Sequence, residues 1–64
     1  MKLEDITTMG YVKTIERYAD YEIWSKGNSR VLYNPHGNKV IMEYNIMSNN
    51  GKKFHEELVV NGKN

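Results

Sequence analysis

His36, His55, Ser25, Ser29 and Ser48, with the acidic residues around them, are the groups in this chain that could do hydrolytic or metal chemistry. A nucleophilic serine needs a base held by a buried acid, and donors aimed at the developing oxyanion. No Gly-x-Ser-x-Gly elbow, P-loop or Gly-x-Gly-x-x-Gly run is present to build such a site. There is no cysteine, which excludes thiol catalysis, disulfides and cysteine-based zinc sites. His36 and His55 with Glu56 or Glu57 are the remaining candidates for metal ligands, but they match no ligand spacing. The expectation is a solvated His36 in a turn and an outward-facing His55 on a distant strand. Glu56 and Glu57 are adjacent. On a strand they point to opposite faces and cannot act as a carboxylate dyad. The chemistry therefore points to a protein that works by binding, with no catalytic residues, no metal and no cofactor.

Length limits what can position these groups. The 64 residues allow one domain, and a chain of this size buries only about 60% of the surface its unfolded form exposes. Small domains are reinforced by disulfides, metals, self-association or very regular packing. With no cysteine, regular packing or a second copy of the chain is expected. Hydrophobic residues are 39% and charged residues 27%, with a net charge of +1. That balance, together with many aromatic and β-branched residues, argues for a folded domain. No apolar run approaches the roughly 20 residues needed to cross a bilayer. Met1-Lys2-Leu3-Glu4-Asp5 does not open a signal peptide. A cytoplasmic setting is expected.

From Tyr21 onward, apolar runs alternate with turn signals. Tyr21–Ser25 and Arg30–Tyr33 read as strands around the turn Lys26-Gly27-Asn28-Ser29. Asn34-Pro35-His36-Gly37-Asn38 reads as the next turn. In Lys39–Ile46, Val40, Met42, Tyr44 and Ile46 alternate with Lys39, Ile41, Glu43 and Asn45, which predicts a strand with one buried face. Ser48-Asn49-Asn50-Gly51 reads as a turn into a final strand over Lys52–Val60, and residues 61–64 as a flexible tail. Sequential strands tend to lie side by side.

The first twenty residues support two readings. Tyr11, Val12, Ile15, Tyr18 and Ala19 follow a helical spacing. The same stretch is rich in β-branched and aromatic residues, with Ala19-Asp20 as a hairpin tip. The predicted fold is a mainly β antiparallel meander of four to five strands. The alternative is α+β, an N-terminal helix packed on a four-stranded antiparallel sheet.

Two binding surfaces follow from this frame. Five tyrosines, one tryptophan and one phenylalanine are more than a thin core needs, and Trp, Tyr and Met are favoured at interfaces. Trp24, Leu32, Ile41 and Met47 are expected on one face, forming a patch for an unidentified protein, a second copy of the chain or the folded-over segment of residues 1–19. Size, composition and the lack of catalytic motifs suit a small inhibitor or modulator of the kind phages encode, docking on a larger host protein. The alternative function is nucleic-acid binding. Residues up to Glu22 carry three basic and five acidic groups, and the rest six basic and three acidic. Lys26, Arg30, Lys52 and Lys53 would gather at one sheet end near an exposed Trp24, suited to phosphates and stacked bases. No membrane partner is expected, and no family signature is recognisable in the chain.

Overall fold

The computed structural model describes residues 1–62. The order of elements is α1 (Leu3–Thr8), β1 (Val12–Tyr18), β2 (Tyr21–Lys26), β3 (Ser29–Asn34), β4 (Lys39–Asn45) and α2 (Asn49–Gly62). The four strands form one antiparallel meander in the order β1-β2-β3-β4. It is a four-stranded antiparallel sheet with a helix at each end of the chain.

α1 is six residues long and could not persist alone, because helix nucleation is costly. Its ends are well satisfied. The Lys2 N–H donates to the Asp5 carboxylate at 2.8 Å, and Glu4 and Asp5 place negative charge in the first turn. At the other end Gly10 takes a left-handed φ of 96°. Its N–H donates to the Thr7 carbonyl, and the Tyr11 N–H donates to the Ile6 carbonyl. This is a Schellman stop, and its usual apolar contact is the pair Ile6 and Tyr11, both buried in one cluster. A helix that stops there cannot extend through Tyr11–Ala19. That stretch becomes β1, so the helical spacing of Tyr11, Ile15 and Tyr18 is coincidental.

The β1–β2 turn is Ala19-Asp20, as the sequence suggested, with Ala19 at φ 52°. Gly27-Asn28 joins β2 to β3, and residues 35–38 join β3 to β4. Asn38 ties this last turn to the N-terminus: its Oδ1 accepts from the Leu3 N–H at 2.9 Å and from the Tyr33 hydroxyl at 2.6 Å. The Val40 N–H donates to the Met1 carbonyl at 2.8 Å, which covers part of the β4 edge.

Two sequence expectations are corrected here. The first is the strand over Lys52–Val60, which is helix α2. Gly51, Phe54, His55 and Leu58 recur at helical spacing and turn toward the sheet, while Lys52, Lys53, Glu56 and Glu57 stay exposed. Counting Phe54, Leu58 and Val60 with a period of two missed this. Ser48 is the N-cap and not part of a turn, since its Oγ accepts the Gly51 N–H at 3.0 Å. Of the residues read as a tail, Asn61 and Gly62 belong to α2, and 63–64 lie outside the described residues.

The second correction is the single face of Val40, Met42, Tyr44 and Ile46. Tyr33 pairs with Val40 but Leu32 pairs with Met42, leaving Ile41 as an extra residue. This bulge flips the alternation, so Val40 and Met42 lie on opposite faces.

The sheet is covered unequally. Four strands span about 14 Å across, and a helix with its side chains is about 10–12 Å wide. α2, with 14 residues, contacts both outer strands, β1 and β4, and nearly covers its face. Beneath it lie Ile23 and Leu32, cross-strand partners that are both buried, as is Leu58 of the helix. On the other face Ile6 and Tyr11 pack on Val31 and Tyr33, with Trp24 and Val40 at the margin. α1 is only about 9 Å long. It covers the β3–β4 side of that face and reaches Trp24 of β2, leaving β1 and the adjoining flank of β2 open.

Candidate interaction surfaces

The titratable groups that the sequence scattered meet in one cluster. His55 on α2 sits between the two outer strands. Its Nδ1 lies 2.7 Å from the Tyr44 hydroxyl of β4, and its Nε2 lies 3.2 Å from Glu16 Oε1 of β1. Phe54 meets the Tyr44 ring edge-on at 5.2 Å beside it. His55 is therefore not an outward-facing residue on a strand, because the segment is helical and its ring turns inward. A phenol that donates to Nδ1 leaves the Nε2 proton for the Glu16 carboxylate. Desolvation pushes the Tyr44 pKa up to about 12, with Arg30 opposing the shift and Glu16 adding to it. The phenol thus holds its proton to higher pH than an exposed tyrosine. Each member of the cluster uses its partners, and the result is a clamp from β1 through α2 to β4.

This clamp makes stability sensitive to alkali. Tyr44 titrates near 12 in the folded protein, against about 10 in the unfolded chain. Between those values the folded state holds the extra proton, so its contribution is complete below pH 10 and is lost as pH rises toward 12. Tyr33, whose phenol is raised by burial and then by Glu22 and Glu4, adds to the same trend. Urea midpoints measured across this pH range should fall for the wild type and fall less steeply for Tyr44→Phe. Equal slopes would remove Tyr44 from the account.

The four residues expected to share an apolar face do not. Trp24 pairs with Val31 and lies on the α1 side, whereas Leu32 lies on the α2 side. Leu32 is buried in the core. Ile41, 45% exposed, lines a cleft beside α2, and Met47, 72% exposed, stands in the β4–α2 link. In the regular β2–β3 register Leu32 pairs with Ile23, the neighbour of Trp24, and this alternation together with the bulge at Ile41 accounts for the scatter. Trp24 itself is half-buried. It meets Tyr33 edge-on at 6.3 Å, and its Nε1 donates to Glu22 at 3.0 Å.

Lys26 and Arg30 flank the β2–β3 turn, and Lys52 and Lys53 stand in the first turns of α2. These segments do share one end of the molecule, because the Ile46 N–H, just before α2, donates to the Asn28 carbonyl at 2.9 Å. Arg30 is committed locally: its Nη1 donates to the carbonyls of Gly27 at 2.8 Å and Ser29 at 3.0 Å. The register places Lys26 with Trp24 on the α1 side and Arg30 with Tyr44 on the other.

The uncovered half of the sheet is the feature that sequence reasoning missed. On β1, Lys13 pairs with Trp24 and Arg17 with Glu22, so four residues of β1 advance against two of β2. The intervening segment bulges out. Thr14 Oγ1 donates to the Ile23 carbonyl at 2.7 Å and accepts the Glu16 N–H at 3.1 Å, standing in for the ladder. Ile15 at the crest is fully exposed. Beside it runs an open cleft of about 780 Å³ lined by Lys13, Ile15, Arg17, Glu22, Pro35 and His36. His36 sits here, exposed, in the turn where the sequence placed it. Only the contrast between two helix lengths and the register of β1 reveals this surface, and no local sequence signal carries it. No family model, curated protein or solved structure matches this chain.

Proposed function

We propose that this protein is a non-enzymatic interaction module that docks on another protein through the open β1–β2 half of its sheet. The observation that carries the reading is Ile15, a β-branched apolar side chain fully exposed at a bulge on an outer strand. An isolated exposed apolar residue means little. This one stands between Lys13 and Arg17, on a face shared with Trp24, beside an open cleft. Arg and Trp recur among the residues that dominate binding energy. A bulge also keeps an outer strand from pairing indiscriminately with other edges. The reading by binding gains support from the Glu16–His55–Tyr44 cluster, whose polar atoms are occupied by one another. Occluding or adapting a larger host protein, as a phage-type inhibitor would, is the mode of action this surface suits.

Affinity capture from extract of the native cell tests the proposal. The baits are wild type, Ile15→Asp and Trp24→Ala. Ile15 buries nothing, so Ile15→Asp should keep its circular dichroism spectrum and melting point while recovering at least about tenfold less of the specific partner. Equal recovery by wild type and Ile15→Asp overturns the assignment. Trp24→Ala needs its stability measured in parallel, since losing a packed tryptophan costs about 3–5 kcal/mol.

A second reading, nucleic-acid binding, is favoured by the gathering of Lys26, Arg30, Lys52 and Lys53 around one end. A gel shift across a salt series decides it. Binding that weakens steeply with salt would support this reading, and no binding at low salt would end it.

A further inference from the structure

On the face opposite the proposed docking surface, a second cleft opens between α2 and the far end of the sheet. We propose that it binds a small organic cation with an alkylammonium head, of the size and type of choline. The cleft measures about 420 Å³, within the range of pockets that hold small ligands. Its walls are aromatic: Tyr18 and Tyr21 from the β1–β2 hairpin, and Phe54 from α2. The two tyrosine rings stand 6.3 Å apart with a tilt of 33°, forming one wall. Leu32 supplies an apolar floor and Glu57 stands on the helix side.

The electrostatics point to the sign of the ligand. Among the described residues no basic residue lines the cleft, and Glu57 is the one carboxylate that does. Glu57 takes part in no ion pair among the described residues. Asn61 also lines the cleft, near the C-terminal end of α2, where the helix dipole places partial negative charge. Among the described residues the last turn of α2 has no basic residue to offset that charge. Aromatic faces are themselves negative, and they attract ammonium and guanidinium groups. A methylated ammonium is weakly hydrated and loses little on entering such a site, so it fits better than a metal ion or a primary amine. Apart from Tyr21, which borders both clefts, this inference rests on different side chains from the docking surface, and either can fail without the other.

A nuclear magnetic resonance titration of the full chain with choline tests it. The neutral isostere 3,3-dimethylbutanol and a short peptide bearing trimethyl-lysine serve as the comparison arms. Saturable shifts of the Tyr18, Tyr21 and Phe54 ring signals are expected at about 1–10 mM choline, with the isostere about tenfold weaker. Glu57 is exposed, so Glu57→Gln should fold normally and weaken choline binding about threefold. Equal affinity for choline and the isostere would reduce the cleft to an apolar slot and overturn the proposal. So would the absence of saturable ring shifts up to about 100 mM. Binding of the peptide alone would make the cleft a protein-recognition site and overturn the small-molecule assignment.

Discussion

Replacing Gly51 with alanine is expected to cost about 3 kcal/mol or more of folding stability. Gly51 is buried in the first turn of α2, where the helix leaves β4. A β-carbon there would overlap the backbone carbonyl of Asn45, the last residue of β4, and would stand 2.7 Å from Ser48 Oγ. A clash with a flexible side-chain tip could be relieved cheaply, but this one is with backbone. The Asn45 carbonyl is itself held by the Ser48 hydroxyl at 3.0 Å, and Ser48 in turn caps the helix. Relief requires either β4 to bend or α2 to lift from the sheet. Lifting α2 would expose Leu58 and open the His55 clamp. A domain of 64 residues has about 3–10 kcal/mol of stability in total, so the loss is a large fraction of it. Urea unfolding followed by circular dichroism measures the effect. An unchanged midpoint for Gly51→Ala would mean that α2 starts farther from β4 than described.

Ile23→Ala is the second large effect, expected to cost about 3 kcal/mol. Ile23 is fully buried on the central strand β2, opposite Leu32 and beneath α2. Its side chain lies between β3 and the helix, and its backbone carbonyl is held by the Thr14 hydroxyl of the bulged β1. Surrounding groups so fixed cannot collapse fully into the cavity, which places the cost well above the lower limit of about 2 kcal/mol for such truncations. Ile23→Val removes one methylene and should cost only about 1 kcal/mol. A ratio near three between the two urea-derived losses supports a rigid site. Equal small losses would indicate a site that repacks freely, and would contradict the two-sided packing of the sheet.

Both predictions concern the join between sheet and helix, where the sequence was hardest to read. The three turns around Ala19-Asp20, Gly27-Asn28 and Pro35–Asn38 were legible because each rests on local chemistry. Strands β2, β3 and β4 were legible as β-structure for the same reason. α2 was not. Its stretch carries Phe54, Leu58, Val59 and Val60 among charges, and a period of two and a period of 3.6 both capture some of them. The deciding signs were Ser48 as a cap and Gly51 on the buried stripe, and they look like a turn until a sheet is placed beside them.

The binding residues divide along the same line. Trp24 was singled out by type, and its side of the sheet does adjoin the open surface. Grouping it with Leu32 depended on register, and register sets which face a strand residue occupies. Ile15 was passed over because its apolar character suits a core position equally well. Its exposure comes from the bulge in β1 and from a helix α1 too short to reach it.

Chain length, absence of cysteine, turn chemistry and β-rich composition determined on their own that this is a small antiparallel sheet domain built from hairpins. Those properties are local, and each acts within a few residues. Tertiary structure alone decided which segment became the second helix, which faces the side chains occupy and which half of the sheet stays open. These outcomes depend on how much apolar surface each face can bury against the rest of the molecule, a balance struck between residues far apart in the chain.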